Sequence, residues 1–146
     1  MALTQDFKEF IQLLNEKSVK YLLVGGYAVG FYGHPRYTKD LDLWVECSEV
    51  NAKKLEETFI EFGFGSLGLS SSDFLNPDCV IQLGYPPARI DLILSVSGIL
   101  FEDCFPKREC VQLDGVMVNL INIEDLKANK KATGRFQDLA DLENLD

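Results

Sequence analysis

The amino-acid sequence predicts an α+β fold, a mixed β-sheet flanked by helices, and three observations predict it. Apolar residues recur at helical spacing in long segments, they alternate or cluster in short β-branched runs, and Gly, Pro and Asp punctuate the gaps between them. With 146 residues, 47% apolar and 25% charged, the chain has the length and balance of one domain, 1–146, around a single core.

Thr4 is placed to cap a first helix, because Phe7, Phe10, Ile11 and Leu14 follow it at helical spacing. Val19 to Val24 reads as a strand that Gly25-Gly26 ends, before a short helix from about Tyr27 to Tyr32 and a turn at Gly33-His34-Pro35. Leu41, Leu43 and Val45 alternate with Asp40, Asp42 and Trp44, the period of a strand with one apolar face. From Ser48 the chain places Val50, Leu55, Phe59 and Phe62 on one helical stripe that stops at Gly63. Residues 63–78, rich in Gly and Ser, read as a flexible loop. Val80–Leu83 and Arg89–Val96 read as a hairpin across a Pro-rich turn, and Phe101–Pro106 as irregular. Asp114-Gly115 joins two further strands, Cys110–Leu113 and Val116–Leu120, in a second hairpin. The closing segment, about 123–145, reads as helix with a break near Gly134. Trp44 and the phenylalanines are assigned to the core.

The net charge of −9 disfavours sequence-independent binding to a nucleic-acid backbone. The N-terminus mixes charged with apolar residues and does not read as a signal peptide, and no apolar run is long enough for a membrane span. Cys47, Cys79, Cys104 and Cys110 are irregularly spaced, without a CxxC pair, and read as reduced thiols of a cytoplasmic protein.

Asp40 and Asp42 lie two residues apart on a strand, so their carboxylates leave the same face and repel one another unless a cation neutralises them. Hard divalent ions, Mg2+ or Mn2+, take oxygen ligands of this kind, and Asp91 on another strand could supply a third. Upstream, the junction of a strand, Gly25-Gly26 and a helix start suits phosphate, because glycine lets the main chain approach and free N–H groups favour an anion. Singly these features are commonplace. A lone Asp-x-Asp is usually structural, and Gly-Gly alone is a turn; their order and spacing together carry the functional reading.

The run GGYAVGFYGHPRYTKDLDLWV resembles the signature of the polymerase-β-like nucleotidyltransferase superfamily, a Gly-Gly or Gly-Ser turn before Dh[DE]h. It is most similar to the small bacterial members, the minimal, antibiotic and toxin–antitoxin nucleotidyltransferases, through Gly25, Gly26, Ala28, Gly33, Arg36, Thr38, Asp40 and Asp42. Asp91 matches the third metal carboxylate, and Lys130, Arg135, Asp138 and Asp141 match the closing helical pattern, with Gln137 where relatives often carry a lysine.

The resemblance implies a two-metal nucleotidyltransferase in which Asp40, Asp42 and Asp91 bind Mg2+ or Mn2+ and a nucleoside triphosphate supplies the transferred group. Asp40 and Asp42 would bridge both ions, and Asp91 would hold the one at the acceptor hydroxyl. Gly25, Gly26, Arg36, Thr38, Lys130 and Arg135 would bind the nucleotide, with Gly26 where the phosphates pass close to the main chain. The acceptor stays open among an RNA end, a protein and a small molecule, and a homodimer or a partner protein would complete the acceptor pocket. The alternative is a weakly catalytic or non-catalytic nucleotide-binding member of a toxin–antitoxin or regulatory pair.

The blander readings of single residues are concrete. Arg36 either steadies a triphosphate or pairs with a carboxylate, and Thr38 either contacts phosphate or satisfies the backbone ahead of the strand. His34 reads as a solvated turn residue, Asp91 beside Arg89 as a surface pair, the lysines near Lys130 as a solvated helix face, and Asp138 as the partner of Arg135. On a continuous helix Lys130 and Arg135 diverge by roughly 140° and share no contact, so Lys130 is expected to face the phosphates without contributing to stability. A break at Gly134 relaxes that constraint.

Overall fold

The computed structural model of the chain describes residues 3–33, 38, 40–84 and 89–145. Helix α1 (Gln5–Glu16) starts where the sequence places it: the Thr4 hydroxyl accepts a hydrogen bond from the Phe7 amide, and Phe7, Phe10, Ile11 and Leu14 are buried. Each such side chain contributes about 1.5–3 kcal/mol by leaving water. The helix α1 packs against α3 (Glu49–Phe62), with Phe10 edge-on to Phe59 and Phe62.

The described strands form one six-stranded sheet in the order β3-β4-β2-β1-β6-β5. They are β1 (Tyr21–Val24), β2 (Asp40–Val45), β3 (Val80–Leu83), β4 (Arg89–Ile93), β5 (Glu109–Leu113) and β6 (Val116–Leu120). β2 runs antiparallel to β1 and parallel to β4, while β3 and β5 close the two edges as antiparallel partners of β4 and β6. Every residue of β1 is buried, whereas edge strand β3 alternates exposed Val80 and Gln82 with buried Ile81 and Leu83. The sheet is therefore covered on both faces at its centre and on one face at that edge. The fold is α+β, as the sequence predicts.

Five expectations are corrected. Val50 is 68% exposed, and its neighbour Asn51 is buried instead: the Asn51 amide accepts from Lys20 N–H and donates to the Lys20 and Glu46 carbonyls, tying α3 to the end of β1. A polar side chain with matched partners thus displaces valine from the buried stripe. Residues 63–78 are not a featureless loop, since 3-10 turns at Gly65–Leu67 and Ser71–Leu75 bring Phe74 into complete burial, its ring 5.0 Å from that of Phe59. The stretch read as irregular holds α4 (Phe101–Cys104) and a 3-10 turn, fastened by Phe101 edge-on to Trp44 at 5.2 Å. Strand β4 ends at Ile93 rather than Val96. Not every phenylalanine is core either, for Phe136 is 94% exposed and Phe31 40%.

Helix α2 (Gly25–Tyr32) follows β1 without a loop, and α5 (Ile123–Thr133) and α6 (Phe136–Leu145) close the chain. Gly134 adopts φ of +64°, a left-handed helix stop, and separates α5 from α6. Among the described residues no helix is long and apolar enough to cross a membrane. The four cysteines are free thiols, with Cys104 buried.

Candidate active site

The parallel pairing of β2 with β4 places Asp42 opposite Asp91 and Asp40 opposite Arg89. Because alternate residues share a face, Asp40, Asp42, Arg89 and Asp91 stand together, while Leu41, Leu43, Ile90 and Leu92 are buried on the other side. Farther along the carboxylate face, Trp44 is buried under Phe101. Within β2 and β4 the charged side chains on this face stand at the N-terminal ends.

Asp42 closes on the helix junction. Gly25 has φ of +67°, and a Cβ built there would lie 2.1 Å from Asp42 Oδ2, so a side chain at Gly25 would occupy the place of the carboxylate. Helix α2 begins at Gly25 itself, ahead of the predicted start at Tyr27, and no side chain among the described residues caps it. Burial, reinforced by the charges of Asp91 and Asp40, pushes the Asp42 carboxyl up to about 7 despite the opposing pull of Lys130 and Arg89. The cluster carries more negative charge than its own cations offset.

A cleft of about 760 Å3 opens over this point, with Gly25, Gly26 and Asp42 on one side and Lys130, Arg135 and Asp138 on another. Ser95, Ser97 and Asn129 add a neutral polar wall, and the Asn129 amide donates to the Ser97 carbonyl at 2.9 Å. The serines went unnoticed in the sequence, although the alternation that runs through Arg89, Asp91 and Ile93 continues to both of them.

Lys130 is the largest departure from expectation on this wall. It is 6% exposed, not part of a solvated face, and its ammonium lies 3.3 Å from Asp138 and 3.2 Å from Asp141. Arg135 pairs with Asp138 at 2.8 Å, as its spacing implies, from a side chain that is 75% exposed. The break at Gly134 turns α6 back on α5, so both cations reach one carboxylate that a continuous helix would have kept them from sharing. Burial alone would raise Asp138, but hydrogen bonds from Arg135 and Thr133 and the charge of Lys130 hold it well below the usual carboxylate range.

Thr38 donates to the Asp40 carbonyl at 3.4 Å, satisfying the backbone at the head of β2. Arg36 and His34 lie outside the described residues. Arg89 is the cation the sequence reading undervalued. Its Nε donates to Asp91 Oδ1 at 2.8 Å, and its Nη2 donates to Asp91 Oδ2 at 3.1 Å and Asp40 Oδ2 at 2.9 Å. The i, i+2 rule that joins Asp40 to Asp42 also joins Arg89 to Asp91, so the signal was present.

The family model described as "Nucleotidyl transferase of unknown function (DUF2204)" matches residues 3–146. The chain belongs to this family. Curated protein sequences yield no significant match. Among solved structures, a nucleotidyltransferase candidate from Thermotoga maritima superposes with a TM-score of 0.62 at 15% identity, over 94% of this chain and 88% of that one. An antigenic nucleotidyltransferase-like protein from Paracoccidioides brasiliensis gives 0.55 at 14% identity, over 97% and 74%. At these identities the two structures establish the fold that this nucleotidyl transferase family member shares with them.

No group of three or more His, Cys, Asp and Glu side chains among the described residues is poised to hold a metal ion; the Arg89 guanidinium stands among the strand carboxylates instead. The donor chemistry nonetheless fits a hard divalent cation. All three carboxylates offer oxygen, they share one face, and the charge at Asp42 is incompletely offset.

Proposed function

We propose that the protein transfers a nucleoside monophosphate from a nucleoside triphosphate to an acceptor hydroxyl and releases pyrophosphate. The observation that carries this reading is the register of β2 on β4, which sets Asp91 opposite Asp42, the carboxylate that lines the cleft together with Gly25, Gly26, Lys130 and Arg135. Asp40, Asp42 and Asp91 would hold Mg2+ or Mn2+, which when bound supplies charge neutralisation on the phosphates and lowers the pKa of the acceptor hydroxyl.

The chain's own residues do the rest. The uncapped N–H groups at the start of α2 favour the anionic phosphates, and Gly26 brings the main chain to the cleft surface. Arg135 offers an exposed guanidinium fork at the rim, while Lys130 contributes its charge from within the wall. The acceptor oxygen bonds to the α-phosphorus, the bond from that phosphorus to the bridging oxygen breaks, and pyrophosphate leaves with the electron pair. The hydroxyl proton passes to Asp91 or to solvent. Ser95, Ser97 and Asn129 give the acceptor a neutral, hydrogen-bonding wall.

The test is to incubate the protein with Mg2+, each of the four ribonucleoside triphosphates labelled on the α-phosphate, and RNA, protein or small-molecule acceptors in turn. Labelled acceptor together with stoichiometric pyrophosphate supports the proposal. Nucleotide binding without pyrophosphate release in any combination would support a non-catalytic partner protein. Absence of nucleotide binding would remove both readings.

A further inference from the structure

Arg89 spans two of the three strand carboxylates and leaves the third alone. Its fork takes both oxygens of Asp91 and one of Asp40, yet Asp42, opposite Asp91 in the register, receives no hydrogen bond from it. Asp91 is 7% exposed and would be an uncompensated buried charge without the guanidinium. Arg89 itself keeps 27% of its side chain in solvent.

From this arrangement, and resting on the nucleotidyltransferase reading above, we infer that Arg89 is a built-in substitute for the divalent cation, so that the free protein loads metal by exchanging one cation for another. A guanidinium and a dication drawn to the same oxygens repel each other, and the carboxylates cannot satisfy both at full strength. In the free state the fork holds Asp40 and Asp91 in alignment on one guanidinium. On loading, the guanidinium gives up those oxygens and turns toward solvent and the cleft. Arg89 is therefore a positioning residue: it holds the ligands in register before the ion arrives and sets the cost of its arrival.

A merely structural ion pair predicts something different. Removing it would lower stability and either leave ion affinity unchanged or weaken it, because the ligands would be less well ordered. Cation exchange predicts that removal lowers stability and tightens ion binding at the same time.

The experiment is titration of Mn2+ into wild-type protein, Arg89→Gln and Arg89→Lys, following free Mn2+ by electron paramagnetic resonance, with melting temperature recorded in parallel without divalent ions. Arg89→Gln is expected to melt lower and to bind Mn2+ about tenfold more tightly, within the span common for two coupled binding events. Arg89→Lys keeps the charge but not the fork, so it should fall between the two in affinity; it also decides the matter if Arg89→Gln does not fold. Unchanged or weaker Mn2+ binding in the folded variants would overturn cation exchange while leaving the metal site standing. Failure of the wild-type protein and every folded variant to bind Mn2+ would overturn the metal reading and this inference with it.

Discussion

Asp42 at the foot of the cleft and Asp138 on its wall are both carboxylates withdrawn from water, and their surroundings drive them in opposite directions. Asp42, raised first by burial and then by two other aspartates, is pushed up to about 7. Asp138 meets Lys130 and Arg135 and is held well below the usual range. Burial raises both carboxyls; at Asp42 the neighbouring carboxylates add to it, whereas at Asp138 hydrogen bonds and cations overcome it. The helix pair has its counter-charges supplied by the chain, whereas the strand cluster leaves a deficit that an exogenous cation can fill. One is a finished structural joint and the other is, on the function proposed above, a cation site.

The sharpest way to break this contrast is to remove the charge at Asp42. Asp42→Asn is expected to lower nucleotidyl transfer by more than the roughly 100-fold that loss of an outer-shell partner of a metal costs. At pH 8 without divalent ions the same variant should be at least as stable as wild type, because a repulsive charge has gone. Retained transfer with retained Mg2+ dependence would remove Asp42 from the site.

Lys130→Ala tests the opposite pole and is expected to cost about 3 kcal/mol of stability, since Asp141 and part of Asp138 are left buried without their cation. Denaturant unfolding measures this directly. A loss of nucleotide use with unchanged stability would instead restore the phosphate-facing lysine that the sequence suggested.

Gly25→Ala should cost about 1–2 kcal/mol from left-handed backbone alone, and more from the collision with Asp42. Transfer should fall with it, because the carboxylate must move. An alanine variant with wild-type melting temperature and activity would show that the approach of Asp42 to Gly25 has no consequence.

The pH dependence of stability sharpens the comparison from the acid side. The folded-state pKa of Asp138 is depressed, so its contribution is present above the unfolded value of about 3.9 and is lost as pH falls below it toward the folded value. Asp138→Asn should flatten this acid limb relative to wild type. Identical limbs would show that the pair with Lys130 and Arg135 does not stabilise the fold. Arg135→Ala is the smallest expected effect, under about 1 kcal/mol for so exposed a side chain, with any larger change appearing in triphosphate affinity.

The amino-acid sequence by itself determined what neighbours along the chain decide. Thr4 and Ser48 cap α1 and α3 through bonds to amides three residues on, and Asp114-Gly115 turns the β5–β6 hairpin with φ of 50° and 84°. The two-residue period put Asp40 and Asp42 on one face before any partner strand was known. These features depend on a few adjacent dihedrals and on hydrogen bonds that close within a turn. The tertiary structure alone decided that β4 lies beside β2 in parallel, so that residues 49 apart along the chain make the Arg89–Asp40 contact. It also decided that α6 folds back to bury Lys130, and that Phe74 leaves a Ser-rich segment to join the core. In each case the outcome turns on which distant surface arrives to exclude water, and a charge or a ring in a polar stretch carries no local mark of it. The spacing of Asp40, Asp42 and Asp91 could be read from the chain; the balance of charge around them could not, because the cations that set it come from elsewhere in the fold.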